Sequence, residues 1–235
     1  MSVERLSVAI LAGGLATRMG PLTARTPKSL LDVNGEPFLA HQLRLLHAHG
    51  VERAVLCVGH LGERIAEVIG THAHGVDVAY AFDGPTLLGT AGALKRALPL
   101  LPPRFLVLYG DSYLRCDYQA AWRAFVASGK AALMTVYRNE GDWDHSNVVF
   151  DGERIVTYDK VKRSPAMRYI DYGLGCFERR AFEAVPDRPH DLATLYQALL
   201  ARDELAAFEV FERYYEIGSP KGLDELRSVL AKESR

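Results

Sequence analysis

Over the first 130 positions, short apolar runs alternate with amphipathic stretches. Residues 7–12 (SVAILA) form a continuous apolar run that ends at Gly13-Gly14, which is typical of a buried parallel strand. Residues 37–49 carry apolar side chains at helical spacing and are followed by Gly50, so they predict an amphipathic helix. The same reasoning predicts strands over 54–58, 76–82 and 105–109 and helices over 61–69, 91–98 and 117–127. This βαβα order indicates an α/β, Rossmann-like fold with a mostly parallel sheet and helices on both faces.

After residue 130 the pattern becomes richer in strands. Strands are predicted over 131–138, 147–150, 154–159, 169–177 and 206–211, with a hairpin turn at Asp151-Gly152 and a helix over 192–201. Ser219 and Pro220 are good first residues for a closing helix over 219–235. We therefore expect a mixed sheet in one domain, residues 1–235. Residues from about 1 to 130 would form an α/β half, and residues from about 131 to 220 would form a small β-rich half. We expect the closing helix to leave no room for a further domain.

Composition limits the class of protein but does not indicate a functional site. Of the 235 residues, 28 are Lys or Arg and 29 are Asp or Glu, so the net charge of −1 does not favour a nucleic-acid or membrane partner. The three cysteines are widely spaced and form no CxxC pair, which predicts buried, reduced thiols. No apolar run approaches the roughly 18 residues of a membrane span. We expect a cytoplasmic protein.

The segment 11–31, LAGGLATRMGPLTARTPKSLL, carries the strongest chemical signal. Glycines after a strand let the backbone approach a ligand and turn N–H groups toward an anion, while arginine and lysine bind phosphate. The segment is neither a Walker A loop nor a G-x-G-x-x-G loop. The candidate anion-binding residues in it are Leu11, Ala12, Gly13, Gly14, Thr17, Arg18 and Lys28.

These residues resemble the signature of the sugar-1-phosphate nucleotidyltransferases, a G-x-G-T-R loop followed by P-K-x-L-L, although Ala16 stands where the family commonly has glycine. Three further segments are similar to that family. LGTAGAL resembles its second glycine-rich loop, Gly110-Asp111 its strand-end metal-binding aspartate, and EIGSP its D-I-G-T-P motif. The resemblance implies that Gly89, Thr90 and Ala91 contact the nucleoside and that Asp111 and Glu216 bind Mg²⁺.

The segments that would bind the sugar phosphate depart further from the family. Asp159-Lys160-Val161 stands in place of Glu-Lys-Pro, so Lys160 would bind the sugar phosphate beside a shortened acid, Asp159. IDYGLG matches the segment that reads sugar hydroxyls, with Asp171 in place of a frequent asparagine and with Gly173 nearby. Asn147 occupies a position where glycine is common.

The resemblance implies transfer of a nucleotidyl group from an NTP to a sugar 1-phosphate. Arg18 would neutralise the β- and γ-phosphates, Lys28 would lie near the α-phosphate, and catalysis would rest on these residues and Asp111. Asp83, ahead of the second loop, could accept both N1–H and N2–H of guanine, which favours GTP. Small bacterial heptose- or mannose-1-phosphate guanylyltransferases are the most similar members, with uridylyl- and cytidylyltransferases left open.

Three other readings compete with this one. A nucleotide-sugar glycosyltransferase usually needs Asp-x-Asp for its metal, whereas this chain has Asp111-Ser112-Tyr113. A molybdopterin-type nucleotidyltransferase shares the AGGLATRMG opening but not the later segments. A non-catalytic nucleotide sensor would have no need to keep Arg18, Lys28 and Asp111 together. The sugar and the formation of a homo-oligomer stay open.

Overall fold

The computed structural model describes residues 5–14, 19–20, 23 and 25–233. In chain order its helices and strands are β1 (Leu6–Leu11), β2 (Asp32–Val33), β3 (Glu36–Pro37), α1 (Phe38–Ala48), β4 (Val51–Val58), α2 (Gly62–Ile69), β5 (His72–Ala73), β6 (Val76–Phe82), α3 (Gly89–Ala97), β7 (Arg104–Tyr109), β8 (Ser112–Tyr113), α4 (Tyr118–Ser128), β9 (Ala132–Arg138), β10 (Val148–Phe150), β11 (Ile155–Tyr158), β12 (Tyr169–Glu178), α5 (Leu192–Ala201), β13 (Leu205–Val210), β14 (Tyr215–Glu216) and α6 (Pro220–Glu233).

A mixed sheet organises these elements. Its order is β11-β10-β12-β7-β1-β4-β6-β5, with β9 paired to both β12 and β13. The centre is parallel, since β1 pairs in parallel with β4 and β7, and β4 with β6. The later strands join through β12, which runs antiparallel to β7 and to β9. The predicted α/β sheet, parallel at its centre and extended by β-rich structure, is confirmed.

Helices cover both faces of the sheet, as predicted. On one face, apolar residues of α1, α2 and α4 pack against inward residues of the strands, including Leu43, Ile65 and Phe125. On the other face α3 and α5 do the same through residues such as Leu94 and Leu195. A strand covered on both faces reads as a continuous apolar run, which is why β1 and β7 are recognisable from sequence. Within the described part of the chain, no helix has the length and apolarity to cross a bilayer.

Helix α6 forms a third apolar cluster with the segment around β2 and β3. Leu226 of α6 packs with Val33 and Ile217. The Arg227 guanidinium donates to the Asp32 carbonyl at 2.7 Å. The closing helix therefore holds Ile217, in the segment just before it, together with β2.

The structure differs from the predicted elements mainly at their ends. β4 begins at Val51, three residues before the predicted start. The prediction starts too late because the exposed Glu52 and Arg53 interrupt the apolar run on which it was based. The two-residue strands β2, β3, β5, β8 and β14 are not predicted, since two residues carry no measurable periodicity. The hairpin at Asp151-Gly152 is confirmed, with β10 antiparallel to β11 across residues 151–154. All three cysteines are free and buried, as predicted.

Candidate functional site

A cavity of about 270 Å³ lies at the carboxyl ends of the parallel strands. This edge of an open α/β sheet is where loops from neighbouring strands converge, and ligands bind there in many such proteins. We call it the strand-edge cavity. It is lined by Leu11, Ala12, Gly13, Gly14, Pro27, Lys28, Ser29, Cys57, Asp83, Leu87, Gly89, Thr90, Ala93, Tyr109, Gly110, Asp111 and Asp191.

Glycines form the floor of this cavity because backbones approach each other too closely for a side chain. A Cβ on Gly110 would lie 2.8 Å from the Leu11 carbonyl oxygen, and one on Gly13 would lie 3.0 Å from the Gly59 nitrogen. The Gly110 N–H donates to the Leu11 carbonyl at 2.9 Å. The glycines predicted at the strand ends therefore allow the backbones that follow β1 and β7 to pack closely at the edge of the cavity.

Lys28 and Asp111 form an ion pair across the cavity. The Lys28 Nζ lies 2.7 Å from the Asp111 Oδ2, and the two side chains are only 18% and 25% exposed. Lys28 begins a single 3-10 turn, Lys28–Leu30, directly after Pro27, while Asp111 follows β7. Two predicted catalytic residues that are 83 positions apart in sequence are therefore in direct contact.

Asp83 places a buried carboxyl group in the cavity wall. Its side chain is 7% exposed, and its Oδ2 accepts the Leu88 N–H at 3.1 Å. Burial raises the pKa of this carboxyl, while the Leu88 hydrogen bond and the charge of Arg96 oppose that rise. A carboxylate oxygen has two lone pairs, so both Asp83 oxygens can still accept hydrogen bonds from a ligand.

The N-terminus of α3 closes another side of the cavity. Gly89 has a φ of +70°, and a Cβ there would lie 2.6 Å from the His190 carbonyl oxygen. That carbonyl accepts the Ala91 N–H at 2.9 Å, and the Thr90 Oγ1 accepts the Leu192 N–H at 2.7 Å. Of the three predicted nucleoside contacts, Gly89 and Thr90 therefore line the cavity, while the Ala91 backbone is engaged by His190.

Asp191 also lines the strand-edge cavity, although the sequence did not single it out. It lies immediately before α5, where an aspartate is an ordinary helix-capping residue. Its side chain forms no capping hydrogen bond to α5, which lies against α3, the helix whose first residues also line the cavity.

A second cavity, also of about 270 Å³, adjoins the first and shares Tyr109 and Asp111 with it. We call it the β-rich cavity, because β12 and the loops before β10 and after β11 supply most of its lining residues. Four of the five predicted sugar-phosphate residues line it, as does Glu216. The lining residues are Tyr109, Asp111, Ser112, Asp144, His145, Asn147, Lys160, Arg163, Ile170, Asp171, Tyr172, Gly173, Tyr214 and Glu216.

Asp171 and Lys160 form the charged centre of the β-rich cavity. The Asp171 side chain is 3% exposed, and its Oδ2 lies 3.5 Å from the Lys160 Nζ. The Asn147 Oδ1 accepts the Asp171 N–H at 2.9 Å, and the Asp171 Oδ1 accepts the Gly173 N–H at 3.1 Å. Burial alone would lower the pKa of Lys160, but the neighbouring Asp171 and Tyr109 raise it above its usual range. Lys160 therefore keeps its positive charge at neutral pH.

Asp159 takes part in this site indirectly. Its Oδ1 accepts the backbone N–H groups of Val161 at 2.7 Å and Lys162 at 2.8 Å. These bonds form a tight turn around Lys160. The carboxylate shapes the turn that carries Lys160 and does not line the β-rich cavity itself.

The loop between β9 and β10 adds residues that the sequence did not indicate, Asp144 and His145. The Asn139 Nδ2 donates to the Asp144 carbonyl at 2.6 Å, which folds the loop back over the cavity. The Arg213 guanidinium stacks 3.3 Å from the centre of the Trp143 ring and pairs with Glu225 of α6. Long-range contacts of this kind leave no local pattern, so the loop reads from sequence as an ordinary polar turn.

Glu216 is brought to Asp111 by a short antiparallel ladder. β14 pairs with β8 so that Glu216 lies opposite Ser112. The Ile217 N–H donates to the Asp111 carbonyl at 2.9 Å and extends this pairing. Asp111 directly precedes β8 and Glu216 ends β14, so the ladder places the two predicted metal-binding residues side by side, and both line the β-rich cavity.

The donor set suits Mg²⁺. In the part of the chain that the structure describes, no cluster of three or more His, Cys, Asp or Glu side chains could hold a metal ion. Mg²⁺ does not require such a cage, since it is usually bound by one or two carboxylates together with water and substrate phosphates. Asp111 and Glu216 match that requirement. The predictions for Thr17 and Arg18, and the Ala16 departure, lie outside the described residues.

Comparison with known proteins identifies relatives over most of the chain. The family model described as nucleotidyl transferase matches residues 7–233. The chain is 27% identical over 218 residues to the mannose-1-phosphate guanylyltransferase catalytic subunit beta of Drosophila pseudoobscura pseudoobscura, a match covering 90% of this chain and 59% of that protein. It is 41% identical over 116 residues to the N-acetylmuramate alpha-1-phosphate uridylyltransferase of Neisseria meningitidis serogroup B, covering 48% and 50%. The chain thus spans about half to three-fifths of these relatives.

Solved structures share the fold. A candidate glucose-1-phosphate thymidylyltransferase from Bacillus anthracis superposes with a TM-score of 0.84 at 19% identity, covering 95% of this chain and 94% of that one. The inositol-1-phosphate CTP transferase from T. maritima gives a TM-score of 0.77 at 21% identity, with 95% of each chain covered. A family match over residues 7–233, together with this shared fold, establishes that the chain belongs to the nucleotidyl transferase family.

Proposed function

We propose that the chain catalyses nucleotidyl transfer from an NTP to a sugar 1-phosphate, with release of pyrophosphate. The observation that carries the proposal is the contact between Lys28 and Asp111 at the boundary of two adjoining cavities. The strand-edge cavity presents glycine backbone and a buried carboxyl group, and the β-rich cavity presents a lysine and several carboxylates. A reaction that joins two substrates needs two such sites meeting at charged groups.

Each substrate has a place in this arrangement. The nucleotide would occupy the strand-edge cavity, with its phosphates near Gly13, Gly14 and Lys28. The sugar 1-phosphate would occupy the β-rich cavity, where Lys160 would hold its phosphate. Its phosphate oxygen would then attack the α-phosphorus in line, and pyrophosphate would leave. Such chemistry depends on positioning and charge neutralisation more than on a protein nucleophile.

Mg²⁺ would be held by Asp111 and Glu216 and, when bound, would neutralise phosphate charge. Lys28 supplies a second positive charge at the same place. Lys28 is paired with Asp111, so a bound nucleotide phosphate would compete with this carboxylate for its ammonium group. Arg18, which the resemblance places near the β- and γ-phosphates, completes the proposed set.

Guanine is the base we propose. A carboxylate can accept both N1–H and N2–H of guanine, whereas uracil offers one such donor. Asp83 is the buried carboxyl group that lines the strand-edge cavity beside the α3 loop. The similarity to a mannose-1-phosphate guanylyltransferase over 90% of the chain supports this choice and mannose 1-phosphate as the proposed acceptor. A heptose 1-phosphate is the other proposed acceptor, and it rests on the sequence resemblance alone.

Measurement of pyrophosphate release across a grid of substrates tests the proposal. Each of the four NTPs is paired with mannose, heptose, glucose and N-acetylmuramate 1-phosphates in the presence of Mg²⁺. We expect turnover to be highest with GTP and a mannose-type sugar. A preference for UTP, as the name of the Neisseria relative suggests for that protein, would contradict the choice of base. No release with any pair would contradict the activity itself.

Asp83→Asn should reduce the preference for GTP over UTP. The substituted amide presents one N–H₂ donor toward the N1–H of guanine, so one hydrogen bond is replaced by a repulsive contact. A bidentate pair of this kind contributes about 1–3 kcal/mol of discrimination, so the ratio of kcat/KM values should fall about 10-fold or more. Asp191→Asn removes a carboxylate from the same cavity and should keep the GTP preference; an equal loss there would contradict a specific role for Asp83.

The same substitution should stabilise the free protein at neutral pH. Burial raises the pKa of the Asp83 carboxyl in the folded state. The stability linked to this group is therefore present at low pH and is lost as pH rises through the folded pKa. Asparagine does not ionise, so the folded protein no longer has to bury a charged group at high pH. Thermal melts at pH 4 and pH 8 should therefore show a higher melting temperature for Asp83→Asn only at pH 8.

Lys160→Met should weaken binding of the sugar 1-phosphate and leave NTP binding intact. A hydrogen bond to a charged group contributes about 1.5–3 kcal/mol, so KM for the sugar phosphate should rise about 10-fold or more. Lys162→Met is the matched control, since Lys162 lies two residues away and does not line the cavity. Equal KM values in wild type and Lys160→Met would remove Lys160 from the site.

A further inference from the structure

Gln42, on helix α1, is a buried polar residue that the proposed mechanism does not use. Its side chain is 1% exposed, on a helix whose other inward residues are apolar. The Nε2 donates to the Tyr109 carbonyl at 3.0 Å and to the Ser112 carbonyl at 2.7 Å. These two carbonyls flank Gly110 and Asp111. One amide group therefore bridges both ends of the corner that carries Asp111.

The orientation of the Gln42 amide is determined by its surroundings. Both acceptors are carbonyl oxygens, so only the NH₂ end can face them. The Oε1 is buried without a hydrogen-bond partner among the described residues. An unpartnered buried acceptor is destabilising, so Gln42 is not explained as a residue that merely fills the core. An apolar side chain would fill this position without leaving a buried acceptor unpaired.

Among the described residues, three other segments hold the backbone of this corner by hydrogen bonds. The Gly110 N–H donates to β1 through the Leu11 carbonyl, and the Asp111 carbonyl accepts the Ile217 N–H. Gln42 supplies the third attachment, from α1. Ser112, whose carbonyl Gln42 binds, is also the residue paired with Glu216 in the β8–β14 ladder. A displacement of Ser112 would therefore move both carboxylates, Asp111 directly and Glu216 through the ladder.

We propose that Gln42 is a positioning residue that sets the spacing of Asp111 and Glu216 for a divalent cation. This inference rests on the proposed function, because it assumes that the two carboxylates bind the cation. Gln42 touches neither substrate nor cation and acts only through the backbone of residues 109–112. Groups that orient metal ligands in this way affect metal affinity strongly although they make no contact with the ion.

The test is Mn²⁺ binding to the full chain in the presence of nucleotide, followed by electron paramagnetic resonance. Gln42→Met keeps a side chain of similar length and removes both donors. We expect its Mn²⁺ affinity to fall about 10- to 100-fold, as for other residues that support metal ligands. The Mg²⁺ concentration for half-maximal pyrophosphate release should rise in parallel, and saturating Mg²⁺ should restore part of kcat. Nucleotide binding without metal should match the wild type.

Gln119→Met is the matched control. Gln119 is also a helix residue whose Nε2 donates to a backbone carbonyl, that of His49 at 3.0 Å, but it lies outside both cavities. We expect it to keep wild-type Mn²⁺ affinity. An equal loss of Mn²⁺ affinity in both variants would indicate a general loss of packing and would overturn the proposal. Wild-type Mn²⁺ affinity in Gln42→Met would overturn it as well.

Gln42→Asn serves if the methionine variant does not fold. It retains the amide but draws it back by one methylene group, about 1.5 Å. Weakened Mn²⁺ binding in a folded Gln42→Asn protein supports the inference, and unchanged binding refutes it. Failure of the proposed function is separately visible, because wild-type protein would then release no pyrophosphate with any substrate pair.

Discussion

We expect Asp111→Asn to lower kcat/KM for pyrophosphate release by about 100-fold or more, a loss of roughly 3 kcal/mol in transition-state stabilisation. Asparagine has the shape of aspartate, so the corner after β7 keeps its packing. The negative charge is lost, and with it both the ion pair with Lys28 and one of the two carboxylates proposed for Mg²⁺. Because Asp111 lines both cavities, its charge acts where the two substrates would meet.

The measurement is steady-state pyrophosphate release at several Mg²⁺ concentrations, with thermal melts to confirm folding. Asp117→Asn is the control, because that carboxylate caps α4 through the Ala120 N–H at 2.9 Å, pairs with Arg123 at 3.9 Å and lines neither cavity. Asparagine caps helices as well as aspartate does, so the control should retain wild-type activity. Near-normal turnover in Asp111→Asn, with unchanged dependence on Mg²⁺, would exclude Asp111 as a metal ligand.

Lys28→Met should cause a loss of similar size for a different reason. The ammonium group would face the α-phosphate and the attacking phosphate, where negative charge must be neutralised as the new bond forms. We expect kcat to fall about 100-fold, again roughly 3 kcal/mol, with a smaller change in KM for the NTP. Single-turnover measurement at saturating substrates separates this loss of rate from a loss of binding.

A lysine ion pair elsewhere provides the control for Lys28→Met. Lys130 pairs with Asp203 at 2.6 Å, remote from both cavities, and Lys130→Met should leave turnover unchanged. Since Lys28 and Asp111 are in contact, the double variant should lose less activity than the product of the two single losses. Strictly multiplicative losses would show that the two residues act independently, which would contradict a shared reaction centre.

The general architecture could be predicted from the sequence because its central strands are covered on both faces. The runs at 7–12 and 105–109 are apolar throughout, and the structure places β1 and β7 there as buried neighbours. The β-rich second half was predicted from its short strands and its hairpin turn. Its attachment to the first half, through β12 beside β7, depends on pairing between distant strands and carries no local signal.

Much of the candidate site was also accessible from the sequence. Gly13 and Lys28 were predicted from their residue types, and Asp83 and Asp111 chiefly from the family resemblance; all four line the strand-edge cavity. A polar position on an ordinary strand or turn explains Asp159 equally well from sequence, and the structure assigns its carboxylate to a turn. Asp144, His145 and Asp191 were not predicted, because each looks like an ordinary loop or capping residue until distant elements pack around it.

What the sequence by itself determined is the set of strands and helices and the chemical groups at their ends, since apolar periodicity and glycine, lysine and aspartate positions are local properties. Only the tertiary structure decided which of those groups meet. The contact of Lys28 with Asp111, the ladder that brings Glu216 alongside, and the hold of Gln42 on residues 109–112 each join positions dozens of residues apart. They form because packing around one sheet brings the carboxyl ends of its strands together, and no neighbouring residue in the chain specifies such contacts.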